Sequence, residues 1–264
     1  MADLVVSRGG YIGPIAVQEP VPGLRGLFCT SDGVRAGEPL LAVPADCTLR
    51  GTAKDGQRPI ERLITALLAA RSAGDAGDHA LYLETLPRDV PLLRDWDAGR
   101  LELLRAPEVA ARVIEQHAWL DRLCEGQEHA HGTSADDVRW AERLVRSRGV
   151  SFSDAASKTT GLQLVPLLDF ANHRRADAEA EPAVIETGDG MIALCASPTG
   201  ANRRELNRGD EATFAYTSAD EGNERLLLDY GFAQLGADEY AGLTELEERL
   251  SAAPEETADL LWSL

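Results

Sequence analysis

The stretch Leu164-Val165-Pro166-Leu167-Leu168-Asp169-Phe170-Ala171-Asn172-His173 constrains this chain more than any other. An apolar run leads straight into an acid, an aromatic ring, an amide and an imidazole, so a buried segment ends among groups that need partners. An unpaired polar group in the interior costs about 2 kcal/mol or more, so Asp169, Asn172 and His173 must bond one another, the backbone or a ligand. A satisfied core network meets that demand, and so does a binding site. A second cluster lies downstream, Gly209-Asp210-Glu211-Ala212-Thr213-Phe214-Ala215-Tyr216, followed by Asn223 and by Asp229-Tyr230-Gly231-Phe232.

Taken in order, Asp169-x-x-Asn172-His173, Gly209-Asp210-Glu211 leading to Tyr216, and Tyr230-Gly231-Phe232 resemble the signature of the SET-domain methyltransferases. The class in question includes the Rubisco large-subunit lysine methyltransferase. The resemblance implies an α+β fold: a β-rich SET domain of small sheets, its C-terminal motif segments threaded into a pseudoknot, split by a helical insertion. The corresponding segments are residues 1–58 and 149–235 for the SET domain, 59–148 for the insertion and 236–264 for a short helical tail. Members of the class usually continue into a large helical lobe that holds the protein substrate, and this chain is expected to lack it.

Charge narrows the partners. Over 264 residues the formal charge is −18, and such a polyanion repels nucleic-acid phosphates and anionic membranes while favouring a basic partner. Acidity that serves only solubility is the blander account. Cys29, Cys47, Cys124 and Cys195 are scattered without a C-x-x-C, so neither a zinc site nor a disulfide framework is encoded. No metal is expected. The first fifteen residues lack an apolar signal core, and no run approaches the roughly 20 apolar residues of a membrane span. A soluble protein of a reducing compartment follows, the cytoplasm first, with nucleus and organelle left open.

Along the chain, Leu4-Val5-Val6 and Tyr11 to Val17 are strand-compatible, and Pro14, Pro20 and Pro22 mark turns around them. Gly23 and Gly26 flank Leu24-Arg25, a spacing that suits a tight turn or a backbone lying close to a ligand. Ile60, Leu63, Ile64, Leu67 and Leu68 make one helical face, ended by the glycine-rich link from Gly74 to Asp78. Leu81 to Pro87 and Trp96 resemble landmarks of the class's helical insertion. Pro107 opens a helix expected to run to about Glu125, followed by a polar linker, Gly126 to Thr133, that holds His129 and His131. Ser134-Ala135-Asp136-Asp137 caps the next helix, which carries Val138, Ala141, Leu144 and Val145 and ends at Arg146-Ser147-Arg148. A polar loop is expected from Ser151 to Gly161 and a charged one from Arg174 to Glu181. Val184 to Thr187 and Met191 to Leu194 form a hairpin about Gly188-Asp189-Gly190, and Ser197 to Leu206 is a surface insertion. Thr244 to Leu250 is a short acidic helix, and Leu260, Leu261 and Trp262 make an apolar end.

The resemblance assigns roles. It implies S-adenosyl-L-methionine as cofactor, held by Leu24, Arg25, Gly26, Arg148, Asn172 and His173, with the backbone of the Gly23-to-Leu27 segment against the donor's amino-acid end. Arg148 also suits the helix macrodipole, which favours a cation in the last turn. Tyr216 is the catalytic tyrosine, on a strand expected to place Phe214 on the same face and Thr213 and Ala215 on the other. Asp169 and Tyr230 line the substrate channel. Asp210 and Glu211 could pass for an acid/base pair, though a turn at a strand start explains them as well. A tyrosine that some relatives carry after the Asn-His loop is missing here, where Pro182, Ala183 and Val184 stand. The implied activity is methylation of a lysine on a non-histone protein, through a basic or lysine-bearing segment. Histidine methylation by the same fold and a non-catalytic binding module are the alternatives.

Overall fold

A computed structural model describes residues 1–103, 106–154, 159–175, 183–187, 190–198, 205–217 and 223–234. The readings for residues 155–158, 176–182, 188–189, 199–204 and 236–264 lie outside these residues.

In chain order the elements are α1 (Ala2–Ser7), β1 (Tyr11–Ile12), β2 (Ile15–Val21), β3 (Leu24–Cys29), β4 (Val34–Arg35), β5 (Pro39–Val43) and β6 (Leu49–Gly51). Helices α2 (Pro59–Ser72), α3 (Ala80–Leu83), α4 (Ala98–Leu103), α5 (Pro107–His131) and α6 (Ala135–Arg148) follow. Then come β7 (Val150–Asp154), β8 (Thr159–Leu164), β9 (Val184–Glu186), β10 (Ile192–Cys195), β11 (Glu205–Leu206) and α7 (Asn223–Arg225), the last running into a single wide turn, Leu226–Tyr230. The strands form four small antiparallel sheets, β1-β5-β10-β9, β2-β3, β4-β11 and β6-β8-β7.

The sheets enclose one apolar core and the helices another. Leu40, Leu41 and Val43 on β5 and all four residues of β10 are buried, so these central strands read as continuous apolar runs rather than as alternating ones. On α2 the expected face is inward: Leu63, Ile64 and Leu67 are fully buried and meet Val138, Ala141, Leu144 and Val145 of α6. Each such side chain contributes about 1.5–3 kcal/mol. Ser134 caps α6 by accepting from the Asp137 N–H at 3.2 Å.

Several expectations fail for identifiable reasons. Leu4 to Val6 lie in α1, not in a strand: the available edge of β5 is taken by Tyr11 and Ile12, and the earlier segment closes its hydrogen bonds locally, Val5 N–H to Met1 and Arg8 N–H to Leu4. Pro20 sits inside β2, at the irregularity between Gln18 and Val21 where a two-stranded sheet tolerates it. α5 runs on to His131, where Gly132 ends it in the left-handed conformation, so the supposed linker is helical. Gln127 explains the continuation, being buried with its amide donating to Thr65 Oγ1 at 2.9 Å. The supposed polar loop from Ser151 supplies instead the paired strands β7 and β8, anchored by buried Phe152. Residues 211–217 make no ladder strand, only bridges Phe28–Glu211 and His173–Phe214. Even so, the Phe214 and Tyr216 rings lie side by side, centroids 4.9 Å apart.

Candidate active site

Five elements converge where the helices meet the small sheets. α6 ends at Ser147 and Arg148, the tight turn Leu168–Phe170 carries Asp169, and the first residues of β3 supply Leu24 and Arg25. The segment through Tyr216 and the wide turn ending at Tyr230 complete the wall.

Two cavities share that wall. One, of about 440 Å³, is lined by Leu24, Arg25, Phe170, Asn172 and Phe232; the other, of about 410 Å³, by Val150, Leu162, Val184, Phe214 and Asp229. Arg148, Asp169, Tyr216 and Tyr230 line both. Of the nine residues singled out from sequence, seven therefore border a cavity.

Gly26 and His173 stand behind it. A side chain at Gly26 would collide with Glu211 and crowd the Asn172 amide, so the close approach there serves protein groups. Asn172 uses both amide hydrogens, donating to the Arg25 carbonyl at 3.0 Å and to Glu211 Oε1 at 2.7 Å. The Glu211 carboxylate thereby clamps the start of β3 to the Asn-His loop. Asp210 closes a turn by accepting from the Asn207 N–H. His173 Nδ1 accepts from the Tyr216 N–H at 3.1 Å, which puts the ring proton on Nε2, 3.1 Å from Gln234 Oε1. Burial lowers the His173 pKa, so the ring is neutral and fully engaged within the chain.

Tyr216 is held tightly. Its hydroxyl donates to the Ala171 carbonyl at 2.8 Å, and its ring lies 4.8 Å from that of Tyr230 and 5.2 Å from that of His173. Burial keeps the phenol well above its ordinary pKa, so it is never a phenolate near neutrality. With its proton committed, the oxygen remains an acceptor. Asp169 is held differently. Its side chain is 5% exposed, and burial drives its carboxyl up to about 6, against the pull of Arg148, whose Nε lies 3.9 Å from Oδ2.

Family models and curated proteins yield no match to this sequence. Solved structures do. The SET domain of LSMT bound to methyllysine and AdoHcy superposes with a TM-score of 0.69 at 20% identity, over 89% of this chain and 56% of that one. Rubisco LSMT bound to AdoMet gives 0.68 at 18%, over 90% and 56%, and Rubisco LSMT bound to sinefungin and monomethyllysine 0.67 at 19%, over 88% and 55%. The chain has the SET-domain fold. It spans a little over half the length of those structures.

Within this SET fold, sequence reasoning passed over Tyr82, Glu211 and Gln234 as site residues. Tyr82 is buried and donates to Asp169 Oδ2 at 3.2 Å; Gln234 holds the histidine and is itself fixed by Asn223, whose Oδ1 accepts the Gln234 N–H at 2.7 Å. Tyr82 and Glu211 hold residues that line the cavities and Gln234 holds His173 behind them; Glu211 belongs to a motif that suggested a turn, and no pattern around Tyr82 or Gln234 announces such a role. Among the described residues, no group of three His, Cys, Asp or Glu could hold a metal, and no helix is long and apolar enough to cross a membrane.

Proposed function

We propose that the chain is an S-adenosylmethionine-dependent protein methyltransferase acting on a lysine side chain of a non-histone protein. The observation that carries the reading is the pair of cavities meeting at Tyr216, Tyr230, Arg148 and Asp169. Methyl transfer needs such a wall, with donor and acceptor entering from opposite sides.

The residues present fit the donor. Arg25 and Arg148 would suit its carboxylate and Phe170 and Phe232 its adenine, and Tyr216 on the shared wall would favour a cationic sulfonium. With both ring nitrogens engaged, His173 serves by fixing the loop that presents Asn172. When bound, S-adenosylmethionine supplies a methyl group that leaves sulfur as a nitrogen lone pair forms the new bond, the C–S electron pair staying on sulfur.

The chain prepares the nitrogen. A lysine amine with a pKa of about 10.4 is almost wholly protonated in water, and the apolar walls of Val150, Leu162, Val165 and Val184 disfavour its charged form. Tyr216 offers an oxygen acceptor whose own proton points away to Ala171. A net charge of −18 favours a basic segment around the target. An imidazole acceptor is the second reading, favoured because Val184 gives that wall no hydroxyl.

The test is methyl transfer from labelled donor to a lysate, comparing wild type with Tyr216→Phe. Transfer to lysine that falls at least about a hundredfold in the variant supports the reading. Equal turnover removes Tyr216 from the mechanism.

A further inference from the structure

Asp169 is the one group in the shared wall with an orphan. Its Oδ1 is buried and makes no hydrogen bond to another described residue, while Tyr82 and Arg148 both address Oδ2 and the residue's own backbone N–H adds a weaker pull on the carboxylate. A buried carboxylate oxygen without a donor is costly and persists where something else will pair with it. The other carboxylate on the 410 Å³ cavity, Asp229, is already taken by Arg146 at 2.7 Å and Arg225 at 3.4 Å.

We propose that Tyr82 is a positioning residue: by donating to Asp169 Oδ2 it fixes the carboxylate so that Oδ1 accepts a hydrogen bond from the amine of the acceptor. The inference rests on the methyl-transfer reading and names the group that draws the amine in. Tyr82 is well placed for this. It is 1% exposed on α3, so its phenol cannot swing away into water, and its pKa stands well above the ordinary value because of burial first and Asp169 second. It is a hydrogen-bond donor at every working pH. The charged and titratable groups around Asp169 are Arg148 at the end of α6, Arg25 at the start of β3, Tyr82 on α3, Tyr216 and Tyr230. Two arginines alone would draw both carboxylate oxygens toward themselves; the phenol settles which oxygen stays open. Through this bond a helix outside the SET motifs reaches the reacting centre.

The experiment follows the Asp169 side-chain carboxyl carbon by NMR across a pH titration, in wild type and Tyr82→Phe, with n-butylammonium chloride as a lysine-tip probe. Loss of the phenol hydrogen bond destabilises the charged form, so the Tyr82→Phe midpoint lies above the wild-type value by roughly half a unit or more. Butylammonium lowers the wild-type midpoint and binds several-fold more weakly to the variant. An unchanged midpoint in Tyr82→Phe overturns the positioning role. A midpoint that responds to S-adenosylhomocysteine but not to butylammonium overturns it too, because the carboxylate then serves the donor. A wild type that binds butylammonium as described, but no S-adenosylhomocysteine, sinks the methyl-transfer reading and leaves the positioning role standing.

Discussion

At the scale of single residues, the site is built from groups held away from their ordinary states. Asp169 is the clearest, a carboxyl titrating at about 6 because burial penalises its charge more than Arg148 and Tyr82 repay it. A carboxyl whose folded pKa is raised supports the fold only while protonated. Its contribution is fully present below about pH 4 and is lost as pH rises through about 6, amounting to roughly 3 kcal/mol at most. Chemical denaturation of wild type and Asp169→Asn from pH 4 to 7 should therefore show the difference moving in the variant's favour as pH rises. A pH-independent difference contradicts the assignment. The motifs singled out Asp169 and Tyr216, and both lie on the wall shared by the cavities. The partners that define their chemistry were not singled out, because Tyr82 lies 87 residues from Asp169 in sequence and Ala171 contributes only a backbone carbonyl to Tyr216.

At the scale of elements, α6 joins the helices to the site. Glu142, fully buried on α6, binds Arg94 through both carboxylate oxygens and Arg146 at 2.8 Å; Arg146 in turn holds Asp229 at 2.7 Å, next to Tyr230. Periodicity revealed the apolar face of α6 but gave no hint that its interior carries a carboxylate shared by two arginines. Such a network is stable only when complete. Glu142→Gln leaves two cations under-compensated and should cost about 3–5 kcal/mol in a urea melt, whereas Glu142→Gln with Arg94→Met should recover part of that loss. A single variant with unchanged stability would show the network to be dispensable. Elsewhere, strand and helix misassignments share one cause. Leu4 to Val6 and Ser151 to Gly161 have short patterns whose outcome depends on which sheet edge is free, and that is settled by distant β5 and β6.

At the scale of the whole molecule, the SET fold places two cavities back to back, and the ordered motifs were enough to anticipate the fold because they mark the segments that meet there. Helix α2 and the capped start of α6 were equally legible, each from a local pattern. The arrangement of four small sheets was not, since strands of two to seven residues carry little periodic signal and their pairing joins residues far apart in sequence. That the cavity lined by Leu24, Arg25 and Asn172 holds the methyl donor is the proposal on which the rest depends. Calorimetric titration with S-adenosylhomocysteine, on wild type, Tyr216→Phe and an Asn172→Ala variant shown by circular dichroism to be folded, tests it most directly. Wild type and Tyr216→Phe should show saturable one-to-one binding, weakened at least about tenfold when the Asn172 clamp is removed. No binding by folded wild type would contradict the proposal.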